Sequence, residues 1–346
     1  MSNETSIYRS FIVISVIDET NSAKSFEIKP ADNGPVTYEA GQFITLVFPK
    51  ANREDRRSYS FSSAPILGEP MRITIKRIPN GEYSRQLFNH IKPGDKLVSS
   101  GISGFFRLPA QLDHVRQFVF LAAGSGITPI YSLLKTVLHT TELPVVLIYS
   151  NYSEEETIFH SELLELSSQF PQRLRIEFLF SQSETQRRRL SKFLLHALLE
   201  EHTIPLRETL FYVCGPAIYM LVVNISLITA GVPKEHIRKE NFNTRQHRIK
   251  PLPPDTDAHQ AKVFINNASY EFTVQYPDTI LAAAKKLNIQ LPYSCEAGNC
   301  GSCTATCTQG MTWMAYNEVL MDDEIKKGKV LTCQGYPVGG DIVLQY

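Results

Sequence analysis

Neither sign of charge is in excess: 35 Lys+Arg stand against 35 Asp+Glu. No basic surface is implied, and nucleic acid is not an expected partner. No apolar run approaches the ~18 residues that a membrane span requires. Met1-Ser2-Asn3-Glu4-Thr5-Ser6 lacks a basic start leading into an apolar core, so a secretory leader is not expected. Cysteine is scarce as well. Six in 346 residues are too few to staple such a chain, and their clustering favours metal ligation in a reducing compartment. The expectation is a cytoplasmic protein of two or three domains, because one hydrophobic core does not grow to this length.

What is present is concentrated near the C-terminus. Cys295, Cys300, Cys303 and Cys333 have the spacing C-x4-C-x2-C plus one distant cysteine, the plant-type ligand pattern for a [2Fe–2S] cluster. The run Tyr293-Ser294-Cys295-Glu296-Ala297-Gly298-Asn299-Cys300-Gly301-Ser302-Cys303 is too rich in small residues for helix or strand. Such a loop lets backbone N–H groups face the cluster sulfurs. A four-cysteine zinc site is the competitor, but structural zinc sites usually present two CxxC pairs, and only Cys300/Cys303 forms one. Cys307 is read as a buried thiol outside the ligand set.

Three segments follow from the hydrophobic patterning. Residues 1–112 alternate in short strands (Ile7–Ile17, Ser25–Ile28, Gln42–Phe48, Arg72–Ile78) broken by Gly, Pro and Asn, which predicts an antiparallel β-barrel. Residues 113–243 alternate strand and helix: Phe118–Leu121, Ile130–Leu138, Val145–Tyr149, Glu156–Leu166, Leu174–Phe180, Leu190–Glu200, Leu210–Val213, Ala217–Ala230. That order predicts an α/β domain with a doubly wound parallel sheet. Residues 244–258, polar and Pro-rich, read as a linker. Residues 259–346 carry a hairpin, a helix Thr279–Leu287, the cysteine loop and closing strands, an α+β domain of β-grasp type.

Two strand–turn–helix passages invite anions. Asn80-Gly81-Glu82-Tyr83-Ser84 precedes a helix Arg85–Ile91, with Ser84 as expected N-cap. A helix N-terminus behind a glycine turn attracts a pyrophosphate. Gly124-Ser125-Gly126-Ile127-Thr128-Pro129 runs from strand to helix, with Thr128 as expected N-cap and Pro129 at the first helical position. Cys214-Gly215-Pro216 repeats the arrangement at a later strand, on the sheet edge where ligands bind. Cys214 is thus a candidate for the nicotinamide face or a buried small hydrophobe. Arg57-Ser58-Tyr59-Ser60, expected just after a strand, offers a cation, a flat face and a hydroxyl to a flavin. Lys76, at the end of the following strand, is a further candidate.

Together with Gly101-Ile102-Ser103-Gly104-Phe105-Phe106, these motifs resemble the ferredoxin-NADP reductase superfamily. The closer resemblance is to oxygenase reductase components with a C-terminal plant-type ferredoxin domain, of the phenylacetyl-CoA epoxidase reductase kind, and it covers essentially the whole chain. It implies an oxidoreductase that passes electrons from NADH or NADPH through FAD (FMN less so) to the cluster and on to a separate oxygenase or hydroxylase. It implies flavin contacts from Arg57, Ser58, Tyr59 and Ser60, with Ser60 near N5, and a flavin pyrophosphate on Gly81–Ser84. The dinucleotide phosphates fall on Gly124–Thr128, Cys214 beside nicotinamide C4, and Glu240 and Phe242 close to the redox centre. Tyr149-Ser150-Asn151-Tyr152 and Phe180-Ser181-Gln182-Ser183 lack the arginines that often meet a 2′-phosphate, which favours NADH, although Arg187, Arg188 and Arg189 follow. A desaturase or a hybrid-cluster protein as acceptor, and a non-catalytic iron–sulfur sensor, are the rival readings.

Overall fold

A computed structural model describes residues 8–51, 53–185, 188–242, 250–265 and 268–346. The first sheet is built from β1 (Arg9–Thr20), β2 (Ala23–Pro30), β3 (Phe43–Lys50), β4 (Arg53–Ser60), β5 (Arg72–Lys76) and β6 (Lys96–Ser103). Its order is β4-β3-β6-β1-β2-β5, with every pairing antiparallel. The ends meet: Phe61, just past β4, bridges Ile73 on β5, which closes the sheet and removes its edges. Phe26, Ile44, Leu46, Phe61 and Ile73 fill the interior. One helix, α1 (Glu82–His90), buries Tyr83 and Leu87 against this core.

The second sheet comprises β7 (Gln117–Ala123), β8 (Val145–Asn151), β9 (Leu174–Phe180), β10 (Thr209–Cys214) and β11 (Ile237–Glu240). All pairings are parallel, in the order β11-β10-β7-β8-β9. Strand order reverses between β7 and β10, so the crevice at their carboxyl ends is the place where such a fold binds ligands. All seven residues of β7 are buried, because helices cover both faces. These are α2 (Ile127–Thr140), α3 (His160–Gln169), α4 (Lys192–Glu201) and α5 (Ala217–Thr229). The start of α3 differs from the expected Glu156: Thr157 is held in a turn by bonds to Ser153 and Glu154 carbonyls, and Phe159 adopts φ 62°, so the helix begins only at His160.

The third sheet contains β12 (His259–Ile265), β13 (Ala268–Val274), β14 (Thr304–Gln309), β16 (Lys329–Leu331) and β18 (Ile342–Gln345), in the order β13-β12-β18-β14-β16. A small pair, β15 (Thr312–Met314) with β17 (Gly335–Pro337), lies beside it. Helix α6 (Ile280–Lys286), capped by the Thr279 hydroxyl, buries Ile280, Leu281 and Ala284 on the sheet, and short α7 (Asp322–Lys326) precedes β16. A parallel β12–β18 pair with a helix across it is the β-grasp arrangement. Of the expected linker, residues 244–249 lie outside the described residues. Residues 250–258 carry neither helix nor strand, and Asp255 ties them to the third domain by accepting from Gly339 N–H and His259. Among the described residues no helix is long and apolar enough to cross a membrane.

Candidate functional site

All three domains contribute to one cleft of about 480 Å3. Its walls include Arg57, Ser58, Tyr59 and Ser60 from β4, Thr74 and Lys76 from β5, Gly81 and Ser84 at the head of α1, Ser125 and Thr128, Glu240 and Phe242, and Ser294, Cys295 and Cys300. Arg57–Ser60 do not follow a strand; they are the last half of β4, paired residue by residue with Leu46 to Phe43 on β3.

Strand alternation divides their duties. Arg56, Ser58 and Ser60 form one row. The Arg56 guanidinium lies 3.7 Å from the centre of the Tyr293 ring and donates to the Tyr293 carbonyl at 3.2 Å. Ser58 Oγ and Ser294 Oγ are 2.8 Å apart, and Ser60 Oγ donates to Glu240 Oε2 at 3.0 Å. The other row, Arg57 and Tyr59, faces the barrel side: Arg57 stacks over Tyr83 at 5.0 Å and Tyr59 packs on the barrel core. No motif in the sequence marks Arg56, though its place two residues before Ser58 on a strand puts it in that row.

Both expected N-caps belong one turn further in. Gly81, not Ser84, caps α1; Ser84 Oγ instead accepts from Ile78 N–H at 3.3 Å. A Cβ on Gly81 would lie 2.3 Å from both the Ile78 and Ser84 side chains, so a larger residue there would have to displace them. Gly124–Gly126 wind into a single 3₁₀ turn that runs straight into α2, with Gly126 at the cap, and Thr128 Oγ1 donates to Ser125 O at 3.0 Å. Pro129 thus stands third in the helix, still within the turn whose N–H groups have no helical partner. A Cβ on Gly126 would sit 2.1 Å from the Cys214 carbonyl oxygen; the glycine is what lets the α2 terminus close on the end of β10.

Gly124, Gly126, Cys214, Gly215 and Pro216 gather at the switch point of the second sheet and do not line the cleft. Cys214 is wholly buried in the sheet's core. Burial, then the neighbouring Glu240 carboxylate, push its thiol well above the ordinary value. Glu240 ends β11 opposite Cys214 and is 8% exposed. Burial raises its carboxyl to about 8, and the Ser60 hydroxyl offsets only part of that rise. Lys76 pairs with Glu156 of the second domain at 3.5 Å.

The cysteine loop turns on three left-handed residues, Glu296 (φ 53°), Gly298 (φ 77°) and Gly301 (φ 78°). With Cys333, its thiols come as two neighbouring pairs, Cys295 beside Cys300 and Cys303 beside Cys333. Backbone N–H groups converge on Cys295 Sγ, that of Ala297 at 3.3 Å, with those of Asn299 and Cys300 beside it. Among the described residues no three His, Cys, Asp or Glu side chains gather around one metal ion. Two thiol pairs fit two irons with two thiolates each, and amides aimed at sulfur fit a cluster that must take up negative charge. Cys295, Cys303 and Cys333 are buried and Cys300 partly so, and of the four only Cys295 and Cys300 border the cleft. Cys307 is half-buried on β14 and apart from them, bonded to the Gln309 carbonyl.

Comparison with known proteins gives three domain families in this order. An oxidoreductase FAD-binding domain matches residues 10–108, an oxidoreductase NAD-binding domain residues 120–224, and a 2Fe-2S iron-sulfur cluster binding domain residues 263–338. One component of the 1,2-phenylacetyl-CoA epoxidase of Escherichia coli (strain K12) is 31% identical over 98% of both chains. The ferredoxin reductase component of a Rhodococcus rhodochrous 3-ketosteroid-9-alpha-monooxygenase is 29% identical over 96% of this chain and 95% of its own. Among solved structures, phthalate dioxygenase reductase superposes with a TM-score of 0.61 at 23% identity, covering 98% of each chain.

Proposed function

We propose, from the premise that this chain belongs to the oxygenase reductase components with FAD-, NAD- and 2Fe-2S-binding domains, that it feeds electrons to an oxygenase of the phenylacetyl-CoA epoxidase type. The 31% identity over 98% of both chains to a component of that epoxidase supports the choice of acceptor. The single observation that carries the electron route is the cleft itself, where β4, Ser125 and Thr128 of the second turn, Glu240 and Cys295/Cys300 share one wall system. We set the domain limits at 1–112, 113–243 and 259–346, with the linker between the last two.

FAD, when bound, turns a two-electron hydride donor into two single-electron transfers, which a [2Fe–2S] cluster requires. The roles assigned to the chain's own residues are these. Arg57, Ser58, Tyr59 and Lys76 orient the flavin, and the N-terminus of α1 behind Gly81, with Ser84, receives its pyrophosphate. The Gly124–Thr128 and Cys214–Pro216 turns hold the dinucleotide across the switch point. Ser60 and Glu240 hold a proton at the cleft: with its carboxyl raised to about 8, Glu240 is mostly protonated at neutral pH. Cys295, Cys300, Cys303 and Cys333 hold the cluster, the first two facing the flavin. No arginine occurs in Tyr149–Tyr152 or Phe180–Ser183; Arg188 and Arg189 lie exposed beyond β9, and Arg187 lies outside the described residues. NADH is therefore the proposed donor.

Cys300→Ser tests the route. It should remove iron, acid-labile sulfide and cytochrome c reduction while sparing NADH-dependent ferricyanide reduction. Loss of both activities together, or of neither, defeats the assigned path. A phenylacetyl-CoA epoxidase oxygenase component should turn over with this protein and NADH; support of a 3-ketosteroid monooxygenase alone would reassign the acceptor.

A further inference from the structure

A second row of polar side chains leads away from the cleft at Thr74. Thr74 lines the cleft, and its hydroxyl lies 2.6 Å from Ser25 Oγ and 2.8 Å from Ser62 Oγ. Ser25, on β2 and directly opposite Thr74 in the ladder, donates to Glu19 Oε1. Thr74 is 4% exposed and Ser25 fully buried. Glu19, on β1, borders an outer groove with Asp18, Thr20, Asn21, Lys24 and Glu155. A continuous row of hydroxyls thus joins the cleft to a carboxyl that borders a second groove.

Cross-strand Ser–Thr bonds are ordinary sheet stabilisers, but a carboxyl at the end of the row is not. Among the described residues Glu19 makes no ion pair, and its one bonded partner is the Ser25 hydroxyl. The charged groups around it are Arg72 from β5 and Glu162 from α3, with Lys24, Asp18 and Glu155 in the groove. Burial, more than Glu162, raises its carboxyl above the ordinary range, against the pull of Ser25 and Arg72. A half-buried acid that readily keeps a proton is suited to receive one from a hydroxyl and release it to water.

We propose that Thr74, Ser25 and Glu19 are a proton exit from the flavin cleft. The inference rests on the flavin lying in that cleft. The net oxidation turns NADH into NAD+, two electrons and one proton; the electrons go one at a time to the cluster and then to the acceptor protein. The proton passes to Thr74 Oγ1, whose own proton moves to Ser25 Oγ, whose proton moves to Glu19 Oε1 and then to solvent water. Thr74 touches the cleft, while Ser25 and Glu19 act through it.

The test uses the complete protein, reduced with one equivalent of NADH and oxidised by excess ferricyanide in a weakly buffered, dye-containing solution. Flavin absorbance and proton release are followed together by stopped flow. In the wild type the proton should appear with flavin oxidation and be slowed in D2O. Thr74→Val and Glu19→Gln should delay it about tenfold or more, whereas Ser62→Ala, which cuts only the branch to the Arg72 carbonyl, should not. The reduced-minus-oxidised infrared difference spectrum should contain a protonated-carboxyl band that disappears in Glu19→Gln and shifts in Ser25→Ala. Unchanged proton release in flavin-loaded Thr74→Val, equal slowing by Ser62→Ala, or no such band overturns the relay alone. A wild-type protein without flavin overturns the site assignment and the relay together.

Discussion

Glu240 ties stability to pH in a way that one substitution isolates. Its carboxyl moves from an ordinary 4.5 to about 8 in the folded protein, chiefly through burial. Below pH 4.5 folded and unfolded chains both hold the proton, so this group costs nothing. As pH rises, the unfolded chain releases the proton while the folded one retains it until about 8, so stability falls across that window. Moving a pKa by one is worth about 1.4 kcal/mol. The span from 4.5 to 8 is 3.5 in pH, a total loss of about 5 kcal/mol, nearly all of it between pH 5 and 8.

Glu240→Gln keeps an acceptor for the Ser60 hydroxyl and cannot ionise. Every other titrating group is common to both proteins and cancels in the comparison. The variant should therefore gain on the wild type as pH rises, by up to about 1.4 kcal/mol for each step of one in pH. Urea midpoints of the transition that reports the nucleotide domain, taken at four pH values from 5 to 8, give the difference directly. Parallel curves for the two proteins would mean that Glu240 ionises freely where it sits, and its role as a held proton would go with them.

Arg56→Ala removes both the cation–π contact and the bond to the Tyr293 carbonyl. Flavin reduction by NADH should be unchanged while flavin-to-cluster transfer slows about tenfold, the effect of losing ~1–2 kcal/mol of docking; stopped-flow absorbance separates the two phases. Gly126→Ala places a methyl 2.1 Å from the Cys214 carbonyl and should cost about 3 kcal/mol. Gly124→Ala, with φ 53° and nothing near its Cβ, should cost only ~1–2 kcal/mol. Thermal melts that rank the pair the other way would contradict the close approach of α2 to β10.

Legibility from sequence tracked the range of the constraint. The four cysteines announce a cluster because three of them lie within nine residues and their spacing is the chemistry. The glycine turns announce helix N-termini, but side-chain preference points to Ser84 and Thr128 as caps. Those positions go to Gly81 and Gly126 because of what lies against them, Ile78 in one case and the β10 carbonyl in the other. No local rule carries that information. Arg56 and its partner Tyr293 are separated by 237 positions, and neither residue type signals the other. Glu240 enters as a site residue only through resemblance, since an isolated Glu reads as a solvated charge, and its bond to Ser60, 180 positions away, is not in the sequence at all. The acceptor surface has no motif at all.

Under the proposed assignment, the row Arg56, Ser58, Ser60 lets one strand serve two transfers. The same side of β4 that holds Glu240 beside the cleft also holds the loop bearing Cys295 and Cys300, so both are referenced to one strand. Among the described residues, contacts from the third domain to the other two include Arg56–Tyr293, Tyr293–Glu54 at 3.4 Å, Ser58–Ser294, Ser103–Ser302 at 3.4 Å, Lys239–Glu318 at 3.1 Å and Phe105 packed on the third core. Such a sparse, mostly polar junction resembles transient interfaces between domains, which open readily. An electron that enters through the edge at Cys295 and Cys300 must leave by a different edge, or after the loop has let go. Under the proposed route, firm docking speeds the first transfer and, in the second case, retards the next, so strengthening this junction should slow turnover while leaving the first transfer intact.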